Sequence, residues 1–596
     1  MRKSLFIIFI VSLSNLCAQV LQKEGSRVID GSAGSEYERT SVTFLYLSFN
    51  EERFNRRNLS TFPVLHVNDK FNDHNLKQIN SINSPFMRLE TDVDRKTLIL
   101  QELNKNKIGN QIIAKWFNQQ PDGTFNMDLI KERGAYNATD ADVIKAKNSK
   151  RGLTILQDAG ESLLKKSYII VFDYLNTETW DEYYNRLDER LYAYAVATKT
   201  TPQKTPRVYE GYRSSVYGYL YRVNWNDSIS SVFYNNAYNN PEFFTEMNIP
   251  IQYVNEFMID GIRGQQLRGL PQFTDNELYQ MMLQDGLEAY LIEVAREYEE
   301  FRVRAPLYSV KPLRAKVGLK EDVKIDQRFF VYEMQLDAQG NKKGIRKGVI
   351  RATNKITDNR QMATGEMIPT EFYQESGKKL YPGMLLDQGY DFGLSISAGW
   401  ALRSLQGPML QVSYNLSGIF RWTLFRIFID AQAGGGSASY GVKTVSSYNL
   451  GSYSLQIGFS KEYCLTRNIH IEPYAALQWD SLFANGLNKG DKQILDSAGI
   501  RYGKQTYGGV IGLRIPINIF HNLQLIPSVS LSTIMYSSNN TIFGSKFPDI
   551  KRNPKVYNDN SHLLGSTVGD LRNSDNSAAN IAPSPIRWEI TLRYKF

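Results

Sequence analysis

The last ten residues of the chain, RWEITLRYKF at positions 587–596, decide its fold class. Every second position in this stretch is apolar: Trp588, Ile590, Leu592, Tyr594 and Phe596. Strict alternation of apolar and polar residues is the signature of a β-strand with one apolar face. A strand that crosses a bilayer at a tilt needs about ten residues, so the terminal stretch predicts a membrane-spanning strand.

Seven upstream segments repeat this alternation, at positions 391–403, 410–420, 425–432, 452–459, 469–480, 506–519 and 523–535. Their connections differ in length: three are tight, at 421–424, 465–468 and 520–522, and three are long, at 434–449, 482–504 and 537–585. Short periplasmic turns with long outer loops are typical of outer-membrane barrels. A soluble β-sandwich, the competing interpretation, does not require that pattern. We therefore predict an eight-stranded antiparallel transmembrane β-barrel over residues 389–596.

Charged residues within these segments fall on the polar phase, which predicts that they point into the lumen: Asp391, Arg403, Arg426, Asp430, Glu472, Arg514, Glu589 and Arg593. Eight strands leave room inside for side chains but not for an aqueous channel. Because the set contains both signs of charge, we expect a mutually neutralising plug. An even strand number also places both ends of the barrel on one side, which the short turns identify as the periplasm.

The N-terminus has the features of a secretory signal peptide over residues 1–18. Arg2 and Lys3 precede an apolar stretch at 5–13, and cleavage is expected before Gln19. The alternative is lipidation of Cys17. If cleavage follows Ala18, one cysteine remains in the mature chain, so no internal disulfide is expected.

The region between the signal and the barrel divides by composition and periodicity. Residues 19–139 have no readable fold. Residues 140–312 predict an α+β domain, with a buried strand at 168–172, a helix at 180–197, and a Thr274/Glu277 capping box that opens a long helix to 301. Residues 313–388 predict a small all-β module. The predicted fold class is thus an α+β periplasmic region with a small β module, followed by the barrel.

The sequence makes no case for an enzyme, a metal site or a cofactor. His66 and His74 lack a second pair of ligands, and no nucleophile motif is present. The net charge of +9 is not gathered into a basic tract with aromatic residues, so nucleic acid is not an expected partner. Three Asp-Ser-apolar triplets, at Ser228, Ser481 and Ser497, resemble sites of O-glycosylation in Bacteroidota.

The barrel region, 390–596, resembles the eight-stranded OmpA/OmpX class, and the terminal strand with its final Phe596 resembles the sorting signal of outer-membrane proteins. The Gln19 start and the segments 152–174 and 329–372 look like those of Bacteroidota envelope proteins. Unlike OmpA-type proteins, this chain places its soluble part before the barrel, and it shows no helix-borne Asp/Arg pattern like that of their peptidoglycan-binding domain. The resemblance therefore does not imply peptidoglycan binding.

Two functional hypotheses follow. The first is a scaffold or accessory protein, anchored in outer-membrane lipid, that presents its periplasmic domain to an assembly, secretion or export complex of the envelope. The second is a surface adhesion or ligand-binding protein that acts through the long loops at 482–504 and 537–585.

Overall fold

The computed structural model describes residues 40–73, 80–88, 94–131, 161, 163–336, 342–361, 368–402, 406–438, 448–485, 503–532 and 586–596. Three β-structures follow one another along these residues: a six-stranded sheet, a closed six-stranded barrel and a closed eight-stranded barrel. None of the described helices is both long and apolar enough to span a membrane. The predicted signal peptide lies outside the described residues.

The first sheet contains β1 (Ser41–Ser48), β2 (Asn72–Asp73), β3 (Ser81–Asn83), β4 (Ser167–Thr179), β5 (Tyr209–Val223) and β6 (Ile251–Leu267). Its order is β2-β1-β4-β5-β6, with β3 also paired to β1. Strand β1 runs parallel to β4, whereas β4, β5 and β6 are antiparallel to one another. The accompanying helices are α1 (Asn55–Thr61), α2 (Arg95–Lys105), α3 (Ile108–Trp116), α4 (Trp180–Thr198), α5 (Asp227–Val232), α6 (Pro241–Glu246) and α7 (Asp275–Glu297).

Helices cover both faces of this sheet, so its central strands are buried on both sides. Trp116 of α3 and Phe233 belong to the core on one face. Tyr279 and Tyr290 of α7 belong to the core on the other face. Helix α7 approaches β6 so closely that a Cβ at Gly264 would stand 1.8 Å from the carbonyl oxygen of Leu278. A side chain at that position would therefore push the helix off the sheet.

The structure confirms the α+β fold class and corrects details. Helix α4 begins at Trp180 as predicted, and the capping box of Thr274 and Glu277 opens α7. The side-chain cap of α5 is Asn226, whose Oδ1 accepts from the Ile229 amide at 3.0 Å. Strand β1, from the region without a readable fold, pairs with β4, so strands on both sides of the predicted 139/140 boundary share one sheet.

The small barrel consists of β7 (Arg304–Val310), β8 (Leu313–Ala315), β9 (Arg328–Leu336), β10 (Lys342–Ala352), β11 (Thr370–Gly377) and β12 (Leu385–Gln388). These strands close in the order β10-β11-β8-β7-β12-β9. Phe329, Val331, Ile350 and Leu386 lie in its interior. Its first strand starts before residue 313, because β7 pairs with both β8 and β12.

The large barrel contains eight long strands: β13 (Leu394–Leu402), β14 (Gly407–Asn415), β15 (Phe425–Ala438), β16 (Tyr448–Lys461), β18 (His470–Asn485), β19 (Gly503–Arg514), β21 (Leu523–Ser532) and β22 (Ile586–Lys595). Two short strands, β17 (Tyr463–Cys464) and β20 (Ile517–Asn518), and the helix α8 (Ser417–Phe420) lie in the tight turns. All neighbours are antiparallel, and β22 closes the barrel by pairing with β13. The predicted eight-stranded barrel is thus confirmed.

Candidate functional site

The outer face of the large barrel is an apolar belt. One aliphatic residue from each long strand lies on it, with between 36 and 76% of the residue exposed: Ile396, Val412, Ile429, Ile457, Leu477, Ile511, Leu531 and Ile590. Their sequence neighbours point inward, as Ser397 does at 0% exposure and Gln411 at 2%. A continuous apolar girdle is costly in water and suits hydrocarbon. The large barrel is therefore built to cross a lipid bilayer.

Replacing Val412 with Lys is expected to destabilise the barrel by about 2–4 kcal/mol, because it places a charge in the hydrocarbon region. Replacing its neighbour Gln411 with Lys is expected to cost much less, since that side chain has a similar length and faces the polar lumen opposite Asp430. The folded fraction in lipid vesicles across a urea series, read from heat-modifiable gel migration, measures both. Equal losses would mean that the assigned phase of β14 is wrong.

An ion network fills one half of the lumen. Glu472 accepts from Arg593 NH1 at 2.7 Å and from Arg514 NH1 at 3.2 Å. The Arg514 guanidinium lies 3.9 Å from the ring centroid of Tyr474 and 4.2 Å from that of Phe428. All five residues are no more than 5% exposed. Buried charges are tolerated only when paired, and here one carboxylate is shared by two arginines.

A second group of charges lies further along the lumen. Arg587 NH2 is 3.3 Å from Asp430 Oδ1, its Nε pairs with Glu589, and Ser528 donates to Glu589 at 2.8 Å. These buried pairs include most of the predicted lumen charges, although Arg403 lies outside the described residues. Asp391 was wrongly assigned to the lumen. It precedes β13 and pairs instead with Arg351 of the small barrel at 2.7 Å.

The end of the large barrel that carries Asp391 and Phe596 is hereafter the proximal mouth. Glu375 of the small barrel binds there, with one carboxylate oxygen 2.7 Å from Lys595 Nζ and the other 2.7 Å from Arg351 Nε. Burial alone would raise the pKa of Glu375, but the charges of Arg351 and Lys595 outweigh it and hold that pKa well below its ordinary value. Glu375 is therefore an ionised carboxylate that joins the two barrels.

Backbone atoms of the same strand extend this contact. The carbonyl oxygen of Glu375 accepts from His470 Nε2 at 2.9 Å and from Asn518 Nδ2 at 2.8 Å. The amide of Gly377 donates to Asn468 Oδ1 at 2.9 Å. The other ring nitrogen of His470 contacts Glu462. Strand β11 thus reaches two of the tight turns of the large barrel.

Asp326 of the small barrel holds a third turn. Its Oδ2 accepts from Asn415 Nδ2 at 2.6 Å, from Ser417 Oγ at 2.9 Å and from the Leu424 amide at 3.0 Å, while Oδ1 accepts from the Tyr373 hydroxyl. The residue is 4% exposed. Together with Glu375 and Arg351, it places small-barrel contacts on all three tight turns and, at the same mouth, on Asp391 before the first strand and Lys595 in the last strand. The small barrel therefore sits end-on over the proximal mouth and caps the lumen.

The small barrel is joined in turn to the α+β domain. Arg302 Nε donates to the carbonyl oxygen of Ala295 in α7 at 2.6 Å, and its NH1 contacts Asp387 of β12 at 3.2 Å. Arg304 Nε donates to the same carboxylate at 3.0 Å. Asp387 is 2% exposed, so this pairing is shielded from water. Buried contacts thus join the α+β domain to the small barrel, and the small barrel to the large one.

Within the α+β domain, a polar network lies beyond the carboxyl end of β1. Asn58 of α1 donates to the Tyr46 hydroxyl at 3.0 Å and accepts from the Tyr279 hydroxyl at 2.6 Å. Burial raises the pKa of Tyr46 to about 12. Arg88 donates to Asp173 at 2.6 Å and to Glu52 at 2.6 Å. The contacts of Asn58 hold α1 against the sheet, and those of Arg88 pair the buried Asp173 with an opposite charge.

The remaining predicted site residues are dispersed. Ser228 lies on the exposed first turn of α5, Ser481 lies within β18, and Ser497 lies outside the described residues. The assembly-signal residues form the outward face of β22: Trp588, Ile590, Leu592, Tyr594 and, just beyond the strand, Phe596. No group of three or more His, Cys, Asp or Glu among the described residues is placed to hold a metal ion.

The sequence pattern did not reveal the residues that join the three folded units. Glu375, Asp326 and Asp387 lie in the small β module, where periodicity alone gives a carboxylate no distinguishing mark. Arg587 alternates in phase with the lumen charges and could have been included with them. Glu462 and His470 lie at strand ends, where the period-two pattern stops.

Comparison with solved structures finds bacterial barrels. Ail, the attachment invasion locus protein of Yersinia pestis, is 8% identical with a TM-score of 0.19, and the match covers 34% of this chain and 97% of Ail. Neisserial surface protein A is 10% identical with a TM-score of 0.20, covering 34% of this chain and 96% of that one. For the N-terminal β-barrel domain of Pseudomonas aeruginosa OprF, the identity is 10%, the TM-score 0.17, and the coverage 35% and 98%.

Comparisons by sequence give nothing further. No protein-family model matches the chain, and a search of curated proteins likewise finds no match. The eight-stranded fold rests on the strand register of the barrel itself.

Proposed function

We propose that this chain is an outer-membrane scaffold: the large barrel anchors it in lipid, and the small barrel holds the α+β domain in the periplasm for other envelope proteins to bind. The observation that carries the proposal is the cap. Glu375 and Asp326 bind the turns around the proximal mouth, and the lumen behind them is filled with ion pairs. A filled and capped barrel suits an anchor rather than a conduit.

The continuity of buried contacts supports the same reading. Asp387 joins the α+β domain to the small barrel, and Glu375 joins the small barrel to the large one. A domain held by such joints keeps a fixed position relative to the membrane, which is what a scaffold requires. The signal peptide and the Bacteroidota resemblance are predictions from the sequence.

Cysteine labelling on intact cells tests the orientation on which the proposal depends. In a Cys464→Ser background, Asn185→Cys on the exposed surface of α4 is expected to react with an impermeant thiol reagent only after the outer membrane is breached. Asn558→Cys, in the predicted longest outer loop, is expected to react on intact cells. It serves as the control for surface access.

Labelling of Asn185→Cys on sealed cells would overturn the periplasmic scaffold. It would favour the second hypothesis, a surface adhesion or ligand-binding protein. Protection of both positions would instead contradict the assignment of the 537–585 segment as an outer loop.

A further inference from the structure

The second half of helix α4 is an apolar projection. Residues 191–198, LYAYAVAT, contain no charged side chain and are hereafter the α4 tip. Its large side chains face water: Leu191 is 41% exposed, Tyr192 60%, Tyr194 66% and Val196 61%. An ordinary surface helix turns such residues toward a core and polar ones outward. Here the large apolar residues lie outward, whereas the buried residues of α4 are Trp180, Tyr184 and Ala195.

The ion pairs and side-chain hydrogen bonds that attach α4 to its domain end before the tip. Asp181 pairs with Arg268, and Asp188 accepts from the Thr205 amide at 2.7 Å and from Arg207 NH2 at 3.0 Å. Within the tip, Thr198 Oγ1 donates to the Tyr194 carbonyl at 2.8 Å, and Ala195 is buried at 3% exposure. The tip therefore keeps one small residue packed against the protein while its large apolar side chains lie in water.

The tip is bordered by positive charge. Arg190, Lys199, Lys204 and Arg207 lie in the segment 190–208, which contains no carboxylate. Arg207 is paired with Asp188, whereas Arg190, Lys199 and Lys204 are exposed. A binding partner that covers the apolar side chains must also meet these cations. A partner surface with acidic residues around an apolar groove would do so.

The position of the tip separates it from the membrane that holds the large barrel. Strand β4 begins near the chain segment that leads into the small barrel at Arg304, since the rings of Tyr168 and Phe301 are 4.9 Å apart. It ends at Thr179, where α4 starts. Its 13 residues span roughly 40 Å. The tip is thus at the end of the α+β domain furthest from the cap. A second copy of the chain is disfavoured as the occupant, because it would bring two sets of cations together.

We infer that the α4 tip is a docking site for a protein partner that presents an apolar groove with an acidic rim. This inference rests on the proposed function and specifies the chemistry of the partner. Tyr192, Tyr194 and Val196 would enter the groove, and Lys199 and Lys204 would meet its rim. Aromatic side chains at the centre of an interface commonly contribute most of the binding energy.

Photocrosslinking in the full-length protein in its native membrane tests this. A benzophenone amino acid replaces Tyr194, and the same probe at Tyr308, a 56% exposed tyrosine of the small barrel, is the matched control. The expected result is one discrete adduct from position 194 and none from 308. Sequenced by mass spectrometry, the crosslinked partner peptide is expected to contain apolar residues bordered by Asp or Glu.

Charge dependence separates docking from chance proximity. Lys199→Glu combined with Lys204→Glu is expected to reduce the adduct at least tenfold, and Lys199→Arg with Lys204→Arg to preserve it. Unchanged heat-modifiable migration and circular dichroism confirm that the variants fold.

Flotation with vesicles of phosphatidylethanolamine and phosphatidylglycerol tests whether the tip binds lipid instead of a protein. The unmodified protein is compared with the Lys199→Glu, Lys204→Glu variant.

Four results would overturn the inference: no adduct, an adduct insensitive to charge reversal, an adduct of twice the chain mass, or tip-dependent binding to the vesicles. The third result would indicate a second copy, and the fourth a lipid surface. If Asn185→Cys is protected on intact cells and no adduct forms, only the docking inference fails. If Asn185→Cys is labelled on sealed cells, the proposed function itself fails.

Discussion

Deleting residues 588–596 is expected to abolish assembly of the large barrel. Strand β22 pairs with β13 on one side and β21 on the other, so its loss opens two edges. Each backbone N–H or C=O group left unpaired in hydrocarbon costs several kcal/mol. A few such groups equal the whole free energy of unfolding of a typical domain. The deletion also removes Arg593 from Glu472. Membrane yield and heat-modifiable migration measure the loss.

Deleting Phe596 alone is expected to act in the same direction, because its amide donates to the Leu394 carbonyl at 3.0 Å where β22 meets β13. Phe596→Tyr, which keeps the ring and the backbone, is the control and should assemble. Normal migration and yield of the chain that lacks residues 588–596 would contradict closure of the barrel by β22.

Replacing Glu375 with Gln is expected to loosen the cap. The change keeps the shape of the side chain but removes the carboxylate that is paired with buried Lys595, and breaking a buried pair costs about 3–5 kcal/mol. At the lower figure, local opening becomes roughly 100-fold more frequent. Hydrogen exchange of peptides covering 370–377 and 463–470 should accelerate by that factor, whereas peptides from β15 should not change.

The control lies on the same strand. Glu371 pairs with Arg314 at 2.8 Å and Lys355 at 2.9 Å, but toward solvent, so Glu371→Gln should have little effect on exchange. Glu375→Gln combined with Lys595→Met removes both charges and should recover part of the loss. Equal effects of the Glu371 and Glu375 changes would contradict the cap as the joint.

The depressed pKa of Glu375 sets the pH dependence of this joint. Its stabilising contribution is fully present above the ordinary glutamate pKa of about 4.3. It is lost progressively as the pH falls below that value and through the lower pKa of the docked state. Exchange of the same peptides in the unmodified protein should therefore stay constant from neutral pH down to about 4.3 and accelerate below it, once corrected for the intrinsic exchange rate.

Periodicity was enough to predict the barrel, because the alternation of a membrane-spanning strand depends only on that strand. Each outward side chain contacts hydrocarbon and each inward one faces the lumen, so every strand shows the pattern in its own sequence. The same holds for α4 and α7, whose N-termini are marked by Thr179 with Glu182 and by Thr274 with Glu277. These features need no knowledge of distant residues.

Periodicity failed where partners come from elsewhere in the chain. Phe428 is apolar yet occupies a lumen-facing position, where Arg514 from another strand packs on its ring. Asp391 follows the alternation of β13 yet turns to Arg351 of the small barrel. In both cases the deciding neighbour is far away in sequence.

The sequence by itself determined the eight strands, their facing and the order of an α+β region, a small β module and a barrel, because these depend on short-range periodicity and capping. Only the tertiary structure decided that the small barrel caps the proximal mouth and that the α4 tip projects from the far end of the α+β domain. Glu375 and Lys595 are 220 residues apart. A contact across that separation depends on how three folded units meet, and no local pattern encodes it.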